Sequence, residues 1–336
     1  MVAKRRKSRA PLDPEGFHIG GVQLEPGTVS DVELDMARLP TRTKLTLPVR
    51  VVRGASDGPC MWLSAGIHGD ELIGIEVIRQ VLEQVEVARL CGTIIAVPIV
   101  NLHGFLIRSR YLPDGRDLNR SFPGGKRGSL AARLAHLFME EIVSKCQYGI
   151  DFHTATNDRV NLPQLRVDLG DDETRELARA FGAPVTIDAR LRDGSLREVA
   201  TQRGVRVLLF EGGEAQRFDT AAIAIGVRGV QRVLARLGMH PLPPLDAAAP
   251  VVPAASRIAT RCAWIRAPRS GLFRCVVENG QDVERGARLG VIANVFGEDA
   301  IVVKAKNAGT VVSLALNPVV HQGDAILRLA FTTDAT

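Results

Sequence analysis

The chain has 336 residues, enough at roughly 100–200 residues per domain for two domains with cores of their own, so a single small module is excluded. Hydrophobic residues at 46% and charged residues at 24% exclude wholesale disorder, and the apolar share is aliphatic, since Phe, Trp and Tyr together reach only 4%. Of the formal net charge of +6, Lys4, Arg5, Arg6, Lys7 and Arg9 supply five, which leaves the rest nearly neutral and speaks against a nucleic-acid partner.

Residues 1–16 predict a solvated, disordered basic tail, with no apolar run behind the charges that would make it a secretory leader. Residues 17–240 read as one α/β unit in which strands alternate with helices. The strand Met61–Ala65 leads to a helix from about Glu71 to Glu86, then a strand over Thr93–Pro98. A helix over Ser129–Lys145 follows, with Ser129 as its cap and Leu130, Leu134, Leu137, Phe138 and Ile142 at helical spacing. The strand Gly149–Phe152, a helix near Glu173–Phe181, a short strand Pro184–Asp188, the apolar run Arg206–Phe210 and a long helix from Asp219 to Gly238 complete the unit. The charge-free run Leu90–Ile107 approaches the ~18–20 residues of a membrane span, but Gly92, Pro98, Asn101, His103 and Gly104 mark it as a strand entering a loop. No membrane partner is expected. Five cysteines, an odd number without C-x-x-C spacing, argue against a disulfide framework and a cysteine-zinc site, and predict a reducing, cytoplasmic setting.

Residues 241–256, with five prolines and a run of alanines, predict a linker. Beyond it, residues 257–332 read as short β-segments in two similar halves. Gly271 precedes Val283-x-x-Gly286-x-x-Leu289, and Gly309 precedes Val320-x-x-Gly323-x-x-Ile326, a repeat that suggests a quasi-two-fold β-barrel or sandwich.

The chemistry concentrates in four places. In Ala65-Gly66-Ile67-His68-Gly69-Asp70-Glu71 a strand enters a glycine-rich turn, which puts His68 and Glu71 at a strand's carboxyl end, where open α/β sheets bind ligands. An H-x-x-E pair offers two ligands to a zinc ion, and His153, after the strand Gly149–Phe152, offers a third. Glu211 follows the apolar run Val207–Phe210. A carboxylate there is expensive unless paired or working; the alternatives are a general base, a helix cap, or an ion pair with one of the many arginines. The loop Arg110–Gly124 is dense in Arg and Asn, suited to gripping carboxylates and stabilising an oxyanion.

In combination, G-x-H-G-D-E, D-L-N-R-S-F-P-G, D-x-H-T and the late Glu-Gly-Gly resemble the succinylglutamate desuccinylase/aspartoacylase family, a branch of the zinc carboxypeptidase-like fold, over about residues 45–240. The resemblance implies a sandwich with a mixed sheet, one Zn2+ per chain held by His68, Glu71 and His153, and Glu211 as general base. It further implies that Asn119 and Arg120 grip a substrate carboxylate and that Arg110 polarises the scissile carbonyl, with Arg108 or Arg116 open for that role because the loop is longer here. Digestive peptidases of the wider fold use a late tyrosine; this chain has only Tyr111 and Tyr148.

The C-terminal segment is similar to the biotinyl/lipoyl barrel, but counting back from Gly309 puts Glu298, not Lys304 or Lys306, at the hairpin where such carriers place a modified lysine. An unmodified unit covering the site's mouth or an oligomer interface is expected. The activity expected from the resemblance is zinc-dependent hydrolysis of the amide bond of a small N-acyl amino acid. A metallocarboxypeptidase or deglutamylase acting on a peptide tail, or a non-catalytic binding module, are the alternatives. The sequence leaves self-association open.

Overall fold

The computed structural model describes residues 16–38, 41–156, 158–244 and 256–333. The tail expected over residues 1–16 lies, apart from Gly16, outside them, as does most of the linker expected over 241–256.

The described elements are, in chain order, β1 (Phe17–Ile19), β2 (Val22–Leu24), β3 (Thr28–Arg38), β4 (Lys44–Arg53), β5 (Ser56–Ser64), α1 (Ile73–Gln84), β6 (Cys91–Val97), α2 (Leu102–Ile107), α3 (Leu130–Glu141), β7 (Tyr148–His153), β8 (Arg159–Val167), α4 (Asp172–Phe181), β9 (Val185–Asp188), α5 (Leu196–Gln202), β10 (Arg206–Gly213) and α6 (Thr220–Arg236). From Arg257 onward only strands follow: β11 (Arg257–Arg266), β12 (Gly271–Cys275), β13 (Asp282–Val283), β14 (Arg288–Ala293), β15 (Ile301–Lys304), β16 (Gly309–Ala315), β17 (Val319–Val320) and β18 (Ala325–Thr333). Every strand and helix expected before the linker is present. The long hairpin β3–β4, strand β8 and helices α2 and α5 were not read from the sequence, and α1 starts two residues later than expected, at Ile73.

At the centre of the mixed sheet, β10, β7, β5 and β6 run parallel, so their carboxyl ends share one edge. Alternation along β5 divides the core between the two faces. Trp62 packs with Leu134 and Phe138 of α3 on one face; Met61 and Leu63 pack with Val77 of α1, Leu177 of α4 and Val230 of α6 on the other. Ser129 caps α3 as expected, its hydroxyl accepting from the Ala132 N–H.

The C-terminal strands continue this sheet. Strand β11 pairs with β9, with Arg257 opposite Val185, and β16 pairs with β8, with Ser313 opposite Asn161. Strands β8, β9, β11, β18 and β16 thereby close a ring, filled by Val185, Ile187, Ala259, Val312 and Ala330. The two sequence halves exchange strands, since β13 pairs with β16 and β12 with β17. Gly286 and Gly323, at matching points of the halves, both hold positive φ, 88° and 92°. Glu298 lies in the β14–β15 hairpin loop, where its N–H donates to Asn294, and Lys304 ends β15. No helix among the described residues is long and apolar enough to cross a membrane.

Candidate active site

The loop after β5 is shaped by glycine. Gly66 takes φ +60°, and a Cβ on Gly69 would stand 1.9 Å from the Gly104 carbonyl carbon, so only glycine lets this loop press against α2. Backbone bonds from Asn101 to Gly66 and from Gly69 to Ser109 fix it there. His68 and Glu71 therefore sit in the loop ahead of α1 rather than in the helix, and both are buried. His153 ends β7, in register with Glu211 on β10. Parallel neighbours in register point to the same side of the sheet.

The three side chains converge. His68 Nδ1 is 2.7 Å from Glu71 Oε1, His153 Nδ1 is 2.8 Å from Glu71 Oε2, and one ligand atom from each residue lies within 4.8 Å of the others. Both imidazoles are oriented from behind by carboxylates. His153 Nε2 donates to Asp151 at 2.8 Å, and Ser64 Oγ donates to the other oxygen of Asp151 at 2.7 Å. His68 Nε2 faces Asp117 at 3.3 Å. Each histidine is left presenting Nδ1 to Glu71, the arrangement that metal-ligating histidines need.

Charge follows geometry. Burial disfavours the protonated form of His153, but Asp151 and Glu71 outweigh it and hold its pKa well above the usual value; His68 is likewise raised, by Glu71 and Asp117 against its own burial. Burial opposes ionisation of Glu71, yet the two histidines hold its carboxyl far below the ordinary range. The site is thus built for positive charge facing a buried carboxylate. Two imidazole nitrogens and one carboxylate form a donor set that suits a divalent ion such as zinc, which would displace the histidine protons.

Asp151 and Asp117 were not singled out in the sequence, and the first carries a test. Asp151→Asn should weaken metal affinity by about 10–100-fold, read by competition with a chromophoric chelator. Wild-type affinity in that variant would reduce Asp151 to a packing role.

Arg110, Asn119, Arg120 and Glu211 line the same cavity as the triad, which has a volume of about 660 Å³. Arg110 Nη2 donates to Asp117 at 2.8 Å, and its Nη1 lies 3.2 Å from His68 Nδ1 and 3.5 Å from Glu71. The other two arginines weighed for its role, Arg108 and Arg116, are exposed and do not line the cavity. Asn119 is buried, its side-chain oxygen accepting from the Leu196 N–H at the start of α5. Arg120 is exposed and forms no ion pair among the described residues.

Glu211 is held from two sides, by Arg166 Nη1 at 2.7 Å and by Asn161 Nδ2 at 2.8 Å. The arginine pairing weighed for it is present, and it occurs inside the cavity beside His153. The C-terminal strands supply part of the wall, including Cys262, Trp264, Ser313 and Arg328. No sequence signal pointed to those four, because their placement depends on β8 and β9 pairing with strands more than 70 residues away.

The sequence pattern of the succinylglutamate desuccinylase/aspartoacylase catalytic domain matches residues 57–237. The chain belongs to this family. This family member is 28% identical over 306 residues to the N-alpha-acetyl-L-2,4-diaminobutyric acid deacetylase of Halomonas elongata, covering 84% of this chain and 85% of that protein. It resembles the solved succinylglutamate desuccinylase/aspartoacylase from Rhodobacter sphaeroides, with a TM-score of 0.80 and 26% identity over 91% of this chain and 96% of that one. The product-bound ectoine utilization protein EutE (DoeB) from Ruegeria pomeroyi shares the fold, with a TM-score of 0.80, 21% identity, and coverage of 97% of this chain and 100% of that one. The mixed α/β fold expected from the sequence is that of these family structures.

Proposed function

We propose that the protein is a zinc-dependent deacylase that hydrolyses the amide bond of an N-acyl amino acid or a related small amide bearing a carboxylate. The observation that carries this reading is the meeting of His68, Glu71, His153, Glu211, Arg110, Asn119 and Arg120 around one cavity. About 660 Å³ is the size of a small-molecule pocket, and the deacetylase named above acts on an N-acetyl amino acid.

Zinc held by His68, Glu71 and His153 would supply Lewis acidity to water and to the scissile carbonyl. Glu211 takes the proton as water attacks and returns it to the leaving amine nitrogen. Its two donors, Arg166 and Asn161, fix the carboxylate in the register that faces His153. Arg110 stabilises the developing oxyanion, with Asp117 holding its guanidinium in place. Asn119 and Arg120 position the substrate through its carboxylate.

We retain the division into a hydrolase unit over 17–240 and a β unit over 257–332 as part of this proposal, with the second docked through the five-strand ring to complete the cavity wall. Five free cysteines support a reducing, cytoplasmic setting.

A screen of N-acetyl, N-succinyl and N-glutamyl amino acids with zinc-loaded protein tests the reading; turnover of short peptides but of no free N-acyl amino acid would replace it with a carboxypeptidase. Arg120→Ala should raise KM at least about tenfold, with Arg120→Lys recovering only part, because a point charge does not reproduce the guanidinium fork. Equal turnover of neutral amides lacking the carboxylate would remove Arg120 from substrate binding.

A further inference from the structure

The four-stranded sheet of the C-terminal unit ends in an open edge. Its order is β15, β14, β12, β17, so β15 (Ile301–Lys304) pairs with β14 alone among the described residues. Ala305, the residue after the strand, turns its N–H to Ala287 and its C=O to Gly286, on the β14 side. Alternation along the strand then points the N–H and C=O of Val302 and Lys304 away from β14, toward the open edge.

The side chains at this edge are apolar and uncovered. Ile301 and Val302 are 40% and 44% exposed. The hairpin tip ahead of β15 carries Val295 and Phe296, which at 74% and 82% are the two most exposed large apolar side chains among the described residues. Outward-facing backbone beside exposed β-branched side chains is a template for one more strand.

Charge says which strand fits. Glu298 and Asp299 precede β15, Lys304 ends it and Lys306 follows, and all four are exposed. Antiparallel pairing of β15 with itself, about a two-fold axis at Val302, sets Val302 against Val302 and Ile301 against Val303. The same register brings the acidic end of each copy to the basic end of the other, with Glu298 opposite Lys306. It also lets the two outward-facing Val302 groups exchange both backbone hydrogen bonds. A lysine on an exposed edge strand ordinarily guards against pairing; here Lys304 meets the other copy's acidic end.

We propose that β15 is the interface of a two-fold homodimer, in which the two four-stranded sheets join into one of eight strands and each Phe296 packs against the turn that follows the other copy's β15. None of residues 295–306 lines the active-site cavity, so each copy keeps its own complete wall and the proposal stands apart from the deacylase reading.

The test is sedimentation velocity of the full-length protein over a dilution series. The wild type should run at twice the chain mass of 36.3 kDa and dissociate on dilution. Val302→Pro removes an outward N–H while leaving the ladder to β14 intact, and should give a monomer with unchanged circular dichroism and unchanged amide hydrolysis. Glu298→Lys and Lys306→Glu should each raise the dissociation constant at least about tenfold, because like charges then face each other across the axis. Mixing these two variants should restore the dimer, since every facing pair in the mixed species is again of opposite sign; this arm serves if Val302→Pro does not fold. A wild type that is monomeric at every concentration would leave the edge to a strand from another protein and overturn the proposal. A dimer that persists in folded Val302→Pro, or charge variants whose mixture associates no better than either alone, would overturn it as well.

Discussion

Replacing His68 with Ala should take the protein from about one metal ion per chain to almost none and abolish amide hydrolysis, while the chain stays folded. His68 is one of three converging donors, and its loss also removes a contact from both Glu71 and Asp117, which keep Arg110 between them. Folding rests instead on the two large hydrophobic clusters that cover both faces of the sheet. Metal analysis after dialysis, with far-UV circular dichroism beside it, reads both halves of the expectation. A variant that keeps its metal and its activity would move the centre away from this triad.

Glu211→Gln should lower kcat by about 10²–10⁴-fold with metal content unchanged. Glutamine keeps the shape and can still meet Asn161, but it cannot accept the proton, and Arg166 loses its ion pair. Single-turnover kinetics separates this from a binding defect. An active variant would place the base elsewhere. The nearest acidic residue in sequence, Glu214, is a poor substitute, since it is paired with Arg217 and lines a different cavity.

The parts of this molecule that local chemistry dictates were legible in its sequence. Apolar runs ending in His68, His153 and Glu211 gave the parallel strands and their shared edge, and Ser129 marked the start of α3 through its hydroxyl. The hairpin β3–β4 carried a readable signal in the alternation of Val32, Leu34 and Met36, all buried, with polar neighbours. Strand β8 did not. Pro163 interrupts it, and polar residues occupy both faces because Asn161 and Arg166 serve Glu211 while Gln164 donates to the Val312 carbonyl of β16.

The site shows the same boundary. The proposed ligands and the proposed base follow from residue type at strand ends, whereas Asp117 and Asp151 are recognisable only once the imidazole rings have directions. Arg328 is more remote still: it reaches the cavity because the repeat after the linker folds back to close a ring with β8 and β9. Sequence separation of that kind leaves no local trace.

The central claim is that the triad holds a metal ion on which amide hydrolysis depends. Zinc titrated into chelator-stripped protein, with amine release from an N-acyl amino acid followed at each addition, tests it most directly. Activity should be near zero at the start, rise linearly and level off at about one ion per chain. Full activity in the stripped protein, or none at any zinc level with every N-acyl amino acid tried, would contradict the account.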